Sequence, residues 1–555
     1  MYIHHRSLLP YCYYDTAEKK IRLKLITDAS VTAVKVLYGD PFIYAKTDKI
    51  NALGNDVWEW VTNETPMQPQ YADKKNITWR VAITPPKARR TKYYFVITNK
   101  NGEEIAYSEN GVGDTESHFF FPFAHDIDAP KTPEWASETI WYQIFPERFH
   151  NGDPSISPAV IEDWETGLPK PRNFFGGDLR GVIDKLPYLR DLGVTGIYFT
   201  PVFHSPSNHK YDTQDYYAVD PHFGDTQTLK ELVKKAHASG MKVMLDAVFN
   251  HIGARHPFWQ DVLKNQKKSK YRDYFHIRSF PVREKYESAY ALNYDAFAFV
   301  PGMPKWNTEN PEARQYLIDV ALYWIKECDI DGWRLDVSDE VSFSFWRALR
   351  EAVDAAKPDF YLLGEVWHDP SKWLHGGYFD AVMNYPLGNL LRDLFFTQKI
   401  TPDTFTQKLF AKLSGFSDIH SRVQFNLMDS HDTVRVLTKA NGDKQAMKNA
   451  LTFLFLMKGA PSIYYGTEVG MEGNGDPGSR GPMVWDEAKQ DKDLTVFFKD
   501  MISLRKRYNT LIQNADIAYS RKGNRCSWKL SNGPDTLEII YNIKNKKEVF
   551  LCRKH

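Results

Sequence analysis

The sequence predicts an α/β protein: a (β/α)8 TIM barrel with a lid subdomain after strand 3, an N-terminal β-sandwich and a small C-terminal β-domain. Three observations point there. Eight strand candidates, most of them alternating with helical stretches, lie between Thr139 and Tyr465, and eight β-units close such a barrel. Short alternating or apolar runs bounded by turn residues fill the two ends of the chain. Acids, histidines and an arginine cluster where the strands of the middle region end, the face on which barrels carry chemistry.

Residues 1–125 read as the β-sandwich. Ile21–Ile26, Val34–Leu37, Trp58–Trp60 and Tyr93–Ile97 are its strand candidates, and Asn99-Lys-Asn-Gly102 is a turn. Residues 126–507 read as the barrel. Its strands are Ile140–Phe145, Gly196–Phe199, Lys242–Val248, Gly332–Val337, Phe360–Glu365, Phe379–Met383, Val423–Asn426 and Ser462–Tyr465. Its helices include Leu179–Leu192, Leu229–Ser239, Pro311–Lys326 with Pro at a helix start, and Phe345–Ala356. The stretch 249–310 is too long for an ordinary loop and reads as the lid. Residues 508–555 return to short strands, Cys526–Leu530 and Leu537–Tyr541.

Net charge is +1, which gives no reason to expect nucleic acid or an anionic membrane as partner. Aromatic residues make up 14% of the chain. Sugar rings stack on aromatic faces, so the excess fits a carbohydrate binder, and it fits large aromatic cores equally well. Cys12, Cys328, Cys526 and Cys552 are far apart and in no metal-ligand spacing, so they read as reduced thiols. The start, Met1-Tyr-Ile-His-His-Arg6, shows no secretory hydrophobic region, and no apolar run is long enough to span a bilayer. A cytoplasmic enzyme is expected.

The organising stretch is Gly332-Trp-Arg-Leu-Asp-Val337. Residues i and i+2 of a strand share a face, so Arg334 and Asp336 point the same way. A neighbouring cation is expected to lower the pKa of Asp336 and keep it ionised, as suits a nucleophile. Alone, the pair reads as readily as an ion pair closing a barrel layer. The other strand ends add Asp246-Ala-Val-Phe-Asn-His251, Gly364-Glu-Val-Trp367 and Asp429-Ser-His-Asp432. Two carboxylates with polar helpers, and no cysteine or serine nucleophile, are what glycoside hydrolysis needs. Individually, His251 and His431 read as core histidines bonded to backbone, Asp246 as an inner-layer anchor for Arg334, and Trp367 as core. Their joint placement at strand ends favours a site.

Those four segments, in this order and spacing, resemble the four signature regions of the α-amylase family. Met303-Pro-Lys-Trp-Asn307, Phe174-Phe-Gly-Gly-Asp-Leu179, His209-Lys-Tyr-Asp-Thr213 and Asp476-Pro-Gly-Ser-Arg480 resemble its neopullulanase, cyclomaltodextrinase and maltogenic amylase group. The resemblance implies that Asp336 is the nucleophile, Glu365 the acid and then base, and Asp432 the transition-state stabiliser. Arg334 would hold Asp336 ionised, and His251 and His431 would bond the sugar at the cleaved linkage. Tyr211 would stack on that ring, Asp476 and Arg480 would touch its far edge, and Phe297 and Trp367 would line the acceptor side. The resemblance implies no required cofactor. A structural calcium would use Asn151, Asp153, Gly176 and Asp178, although Ile156 and Ser157 stand where two ligands are expected.

The chain departs from the group at Trp306 (usually Leu), at Ser338-Asp339-Glu340 (usually Ala-Asn-Glu) and at Met428-Asp429 (where Gly is common). The last two are expected on the acceptor side. The resemblance implies a homodimer and a retaining hydrolase of α-1,4 bonds in cyclodextrins, pullulan and maltooligosaccharides, with α-1,6 cleavage left open. The rival readings are a transglycosylase or sugar isomerase on the same fold, and a non-catalytic glycan-binding protein. The intact Asp336, Glu365 and Asp432 argue against the last of these.

Overall fold

The computed structural model describes residues 1–544 and 549–554; the side chain of Cys552 lies outside the described part. The chain divides into two compact units, Met1–Lys131 with Ile400–Ser421 and Thr510–His555, and Thr132–Lys399 with Arg422–Asn509. Among the described residues, no helix is long and apolar enough to cross a membrane.

The first unit is built on a nine-stranded and a six-stranded sheet. Alternation dictates its core. In Lys20–Asp28 the residues Ile21, Leu23 and Leu25 are buried, and in Thr91–Asn99 the residues Tyr93, Phe95 and Ile97 are. They meet Val34, Val36, Trp79 and Phe119 in one cluster. The strands near the end of the chain are continuous with this unit: Asp516–Lys522 pairs in parallel with Gln68–Ala72, Ile517 opposite Tyr71. The preceding helix runs Lys492–Asn514 with a break in helical geometry at Tyr508, so strand structure resumes at Asp516. Ile400–Ser421, which the sequence places within the catalytic stretch, carries the helix Pro402–Ser414 and falls in this unit.

The second unit contains an eight-stranded parallel sheet. Its strands, in chain order, are Trp141–Ile144, Gly196–Phe199, Lys242–Ala247, Gly332–Leu335, Tyr361–Gly364, Ala381–Val382, Phe425–Asn426 and Ala460–Tyr464. Spatial order follows chain order, and a parallel bridge from Met383 to Phe425 joins strands six and seven and closes the ring. Trp141, Tyr198, Met244, Tyr361, Leu363 and Phe425 fill the interior. The helices start where small polar residues cap them. Asp178, Asp225, Asn310, Ser342, Asn384 and Asp443 each accept a backbone N–H in the first turn of the helix that follows. Pro311 occupies the first turn of the helix after Asn310, as expected.

The stretch 249–310 forms a lid around one helix, Pro257–Asn265, and a cluster of aromatic contacts. Trp306 is buried there. Its ring stacks on Phe275 (5.1 Å, 23°) and its indole N–H donates to the Tyr216 hydroxyl at 3.3 Å. This departure from the group therefore belongs to the lid core. Met428 and Asp429, expected on the acceptor side, are also buried. Asp429 Oδ2 accepts from Val436 N and Thr467 Oγ1, both at 2.9 Å, so it braces the segment after strand seven.

Candidate active site

Parallel register brings the charged residues together. Asp246 of strand three and Arg334 of strand four are cross-strand partners, and Arg334 also faces Leu363 of strand five. Two residues beyond each of these partners in strands four and five stand Asp336 and Glu365, where the backbone leaves the sheet. Gly364 makes that close approach feasible. A Cβ there would lie 2.4 Å from the Phe379 ring and 3.1 Å from Ser338 Oγ.

The Arg334 guanidinium organises the site. Nη1 contacts both Asp246 oxygens at 3.1 Å and Asp336 Oδ1 at 2.7 Å. Nη2 contacts Glu365 Oε2 at 2.8 Å and lies 3.9 Å from Asp432 Oδ2. Asp336 Oδ2 is buried without a hydrogen-bond partner. Glu365 also accepts from Val337 N (2.9 Å) and from the Trp367 indole (3.0 Å). Val337 delivers its N–H from a left-handed conformation, φ 44°, which is costly for a β-branched residue and is the kind of strain that collects at functional sites.

One cation cannot neutralise this many acids. Burial raises the Asp336 carboxyl well above its usual range; Arg334 opposes the rise, and Glu365 and Asp246 add to it. Arg334 pulls this pKa down, as the sequence suggests, but the expected net lowering is corrected to a rise, because desolvation and like charge outweigh one ion pair. Asp246 is pushed up to about 6 by burial, against Arg334, Tyr198 and Tyr211. Asp432 is raised by burial against Arg334 and Arg480.

The other expected residues surround this centre. His431 is buried, with Nδ1 2.6 Å from Gln143 Nε2 and Nε2 2.6 Å from the Tyr211 hydroxyl. It is bonded through side chains rather than to backbone. The Tyr211 ring stacks on it (5.5 Å, 8°), and the Tyr211 hydroxyl donates to Asp246 Oδ2 at 2.9 Å. His251 stacks on Phe297 of the lid (4.9 Å, 21°), and its buried Nε2 has no hydrogen-bond partner. Arg480 joins Asp476 (3.1 Å) to Asp432 (3.4 Å), and Asp476 is exposed. Trp367 is not core: it is 45% exposed and lies flat on Tyr385 (3.6 Å, 7°). Beside it Asp339 pairs with His368 at 3.0 Å, and Glu340 pairs with Lys305 of the lid at 3.0 Å. These two acids, with His276, Lys305 and Phe343, line a cavity of about 340 Å³.

Sequence reading missed Gln143, Tyr198 and Tyr385. Tyr198 donates to Asp246 Oδ2 at 2.7 Å, and Tyr385 carries Trp367. A polar Gln in the otherwise apolar and aromatic strand Trp-Tyr-Gln-Ile was the available signal for the first.

The four residues expected to hold calcium form a hydrogen-bonded turn. Asp178 accepts from Gly181 N (2.6 Å), Asp153 N (2.8 Å) and Gly152 N (3.1 Å). Asp153 Oδ1 accepts from Ser155 N and Oγ at 3.1 and 2.6 Å. Gly176, at φ 83°, gives its N–H to Glu147 Oε1 at 2.8 Å, and Asn151 Nδ2 donates to Ser157 Oγ at 3.0 Å. Only Asn151 Oδ1 is buried without a partner among the side-chain oxygens of the four. Calcium takes six to eight oxygens, and the side chains of these four residues offer five, two each from Asp153 and Asp178 and one from Asn151.

Comparison with known proteins gives the wider context. Residues 1–125 match the family described as alpha amylase, N-terminal ig-like domain. A cyclomaltodextrinase of Geobacillus thermopakistaniensis (strain MAS1) is 46% identical over 554 residues, which is 98% of this chain and 91% of that protein. An intracellular maltogenic amylase of Bacillus subtilis is 45% identical over 529 residues, 93% of this chain and 86% of that protein. A solved cyclomaltodextrinase structure superposes with a TM-score of 0.88 at 42% identity, covering 97% of this chain and 91% of the other. Residues 143–513 match alpha amylase, catalytic domain, over the same strands that gather Asp246, Arg334, Asp336, Glu365 and Asp432, and the chain belongs to the alpha-amylase family.

Proposed function

We propose that this chain is a retaining α-glucan hydrolase of the neopullulanase, cyclomaltodextrinase and maltogenic amylase group, cleaving α-1,4 bonds of cyclodextrins, pullulan and maltooligosaccharides. The observation that carries this reading is the grip of one guanidinium on both Asp336 and Glu365, with Asp336 Oδ2 left unpartnered. Bridging through one group keeps the two carboxyls close, in the manner of retaining rather than inverting enzymes. In the first step Asp336 Oδ2 attacks the anomeric carbon. Glu365 gives its proton to the glycosidic oxygen, the C–O bond breaks, and a β-glucosyl ester remains. In the second step Glu365 takes a proton from water. The water oxygen bonds to the anomeric carbon, the ester bond breaks, and the α configuration returns. Asp432 grips sugar hydroxyls and balances the positive charge that develops at the ring. His251 Nε2, the Tyr211 ring, Arg480 and Asp476 serve the same sugar, while Trp367 and Phe297 face the acceptor.

A product profile tests this. Maltose released rapidly from β-cyclodextrin, panose from pullulan, and slow action on soluble starch are expected. Starch as the best substrate would reject the subgroup reading, and products of inverted configuration would reject the mechanism. Panose from pullulan requires only α-1,4 cleavage; loss of the α-1,6 bonds would extend the activity to them.

The homodimer is also our reading, supported by the subgroup and by the exposed Phe42, Tyr44, Trp58 and Phe120 of the first unit. Sedimentation velocity at micromolar concentration should show a species twice the mass of the 64.4-kDa chain; a monomer there would reject it. A cytoplasmic setting is supported by the word intracellular in the name of the Bacillus subtilis relative and by the free, buried Cys12, Cys328 and Cys526.

A further inference from the structure

We propose that Gln143 is a positioning residue of this hydrolysis: its side-chain amide fixes the imidazole proton of His431 on Nε2, toward the sugar. The proposal rests on the function assigned above. It follows from counting protons around one buried ring.

Gln143 sits in strand one and is buried, as is His431. Its backbone is held on both sides, by register with Tyr198 of strand two and Tyr464 of strand eight. Its Nε2 lies 2.6 Å from His431 Nδ1, and its Oε1 is buried without a partner. On the other side of the ring, Nε2 of His431 lies 2.6 Å from the Tyr211 hydroxyl and 3.1 Å from Asp432 Oδ2.

A neutral imidazole carries one proton, and a tyrosine hydroxyl carries one. The Tyr211 hydroxyl lies 2.9 Å from Asp246 Oδ2, an oxygen that can only accept while ionised, and donates to it. The Tyr211 oxygen is then an acceptor toward His431, and Asp432 Oδ2 is another. Two acceptors on that side require the proton on Nε2. Nδ1 is left as a bare lone pair, and the group beside it must donate. The NH2 of Gln143 is that donor. The opposite amide orientation would draw the proton to Nδ1 and leave the Nε2 lone pair facing two oxygens at short range. Burial, with Arg480 and Arg334 nearby, lowers the His431 pKa far below its usual value, so the ring stays neutral and the placement of its single proton matters.

Among the described residues, the polar groups that bear on the ring come from several elements, and the Phe145 ring also faces it at 6.5 Å. The polar groups are Gln143 from strand one, His209 and Tyr211 after strand two, Arg334 from strand four, Asp432 beside it, and Arg480 after strand eight, which donates to the His431 carbonyl at 2.9 Å. Of these, only Gln143 contacts Nδ1 by hydrogen bond among the described residues. The arrangement fixes the one N–H of the ring on the side of Tyr211 and Asp432 before substrate arrives.

The test is the pH dependence of kcat and kcat/KM for Gln143→Glu and Gln143→Met on β-cyclodextrin, beside the parent enzyme. In Gln143→Glu the protonated carboxyl donates to Nδ1 as the amide does, so kcat at the acid end should stay within about threefold of the parent. As pH rises the carboxylate forms, claims a proton on Nδ1, and removes the neutral Nε2–H arrangement. The alkaline limb should therefore move to lower pH by about one unit or more. Gln143→Met removes the donor at every pH. It should lower kcat roughly ten- to a hundredfold with the shape of the profile unchanged. A Gln143→Glu profile parallel to that of the parent, or Gln143→Met with full kcat, overturns the proposal. If Gln143→Glu does not fold, kcat of Gln143→Met decides. A parent enzyme that hydrolyses no α-glucan rejects the proposed function itself, which is a separate outcome.

Discussion

Asp336→Asn should lower kcat by roughly 10⁴-fold or more and, at the same time, raise the midpoint of thermal unfolding. The first effect is loss of the attacking oxygen, since a neutral amide forms no glycosyl ester. The second follows from the cluster. Arg334 meets Asp246, Asp336 and Glu365 at hydrogen-bond distance, so the ionised site carries more negative than positive charge in a buried place. Asn keeps an oxygen for Arg334 where Asp336 Oδ1 stands. Its NH2 falls where Oδ2 has no partner, so no donor is set against another. One excess charge is removed and no hydrogen bond is lost. The gain should be about 1–3 °C at neutral pH.

The excess charge also makes stability depend on pH. The Asp336 carboxyl has a raised pKa in the folded chain, so between its unfolded value near 4 and that raised value the folded state holds the extra proton. Parent stability therefore falls as pH rises through this window. The advantage of Asp336→Asn should be small near pH 4 and larger at pH 7. Calorimetry at the two pH values checks it. An equal or larger advantage at pH 4 would contradict the charge argument.

Glu365→Gln should cost roughly 10²- to 10⁴-fold in kcat on maltooligosaccharides, with stability moving the other way. Both Glu365 oxygens are in use: Oε1 accepts from the Trp367 indole, and Oε2 from Val337 N and Arg334. Either orientation of a Gln amide places an NH2 against an existing donor. A loss of about 1–3 kcal/mol is expected, read as a lower unfolding midpoint. The kinetic signature also differs from that of Asp336→Asn. An α-glucosyl fluoride needs no proton on its leaving group, so the first step should survive in Glu365→Gln. The second step, which lacks its base, becomes limiting. A burst of fluoride followed by a slow steady state is expected, and azide, which needs no deprotonation, should speed the second phase. Equal losses on the fluoride and on maltooligosaccharides, without a burst, would contradict the assignment of Glu365.

Much of this site is legible in the sequence. The residues at the ends of strands three, four, five and seven are carried by local alternation and by the rule that barrels act at one face, and a linear sequence displays both. Asp246, Arg334, Asp336, Glu365 and Asp432 are placed on those grounds. Gln143, Tyr198 and Tyr385 are not, because their part depends on which distant strand ends face them. Tyr198 matters through Asp246 Oδ2, and Tyr385 through the Trp367 ring. The charge state of Asp336 is hidden for a related reason. Sequence shows its arginine two residues away, whereas the buried acids around that arginine come from three separate strands. Trp306 and Met428-Asp429 stand out in sequence as departures, yet packing assigns them to the lid core and to the segment after strand seven. The pairing of Ile517 with Tyr71 spans most of the chain, and no local pattern announces it.

The most direct test of the central claim is to trap the covalent sugar. The enzyme is incubated with a 2-deoxy-2-fluoro α-glucosyl donor, whose fluorine slows both steps and whose good leaving group speeds the first. Intact mass is then read, followed by peptide mapping. The account predicts one added fluoroglucosyl group on the peptide containing Gly332-Trp-Arg-Leu-Asp336, on the Asp336 carboxyl, with no label in Asp336→Asn. A label on Glu365, Asp432 or Asp246, or turnover to the inverted product with no adduct, would contradict it.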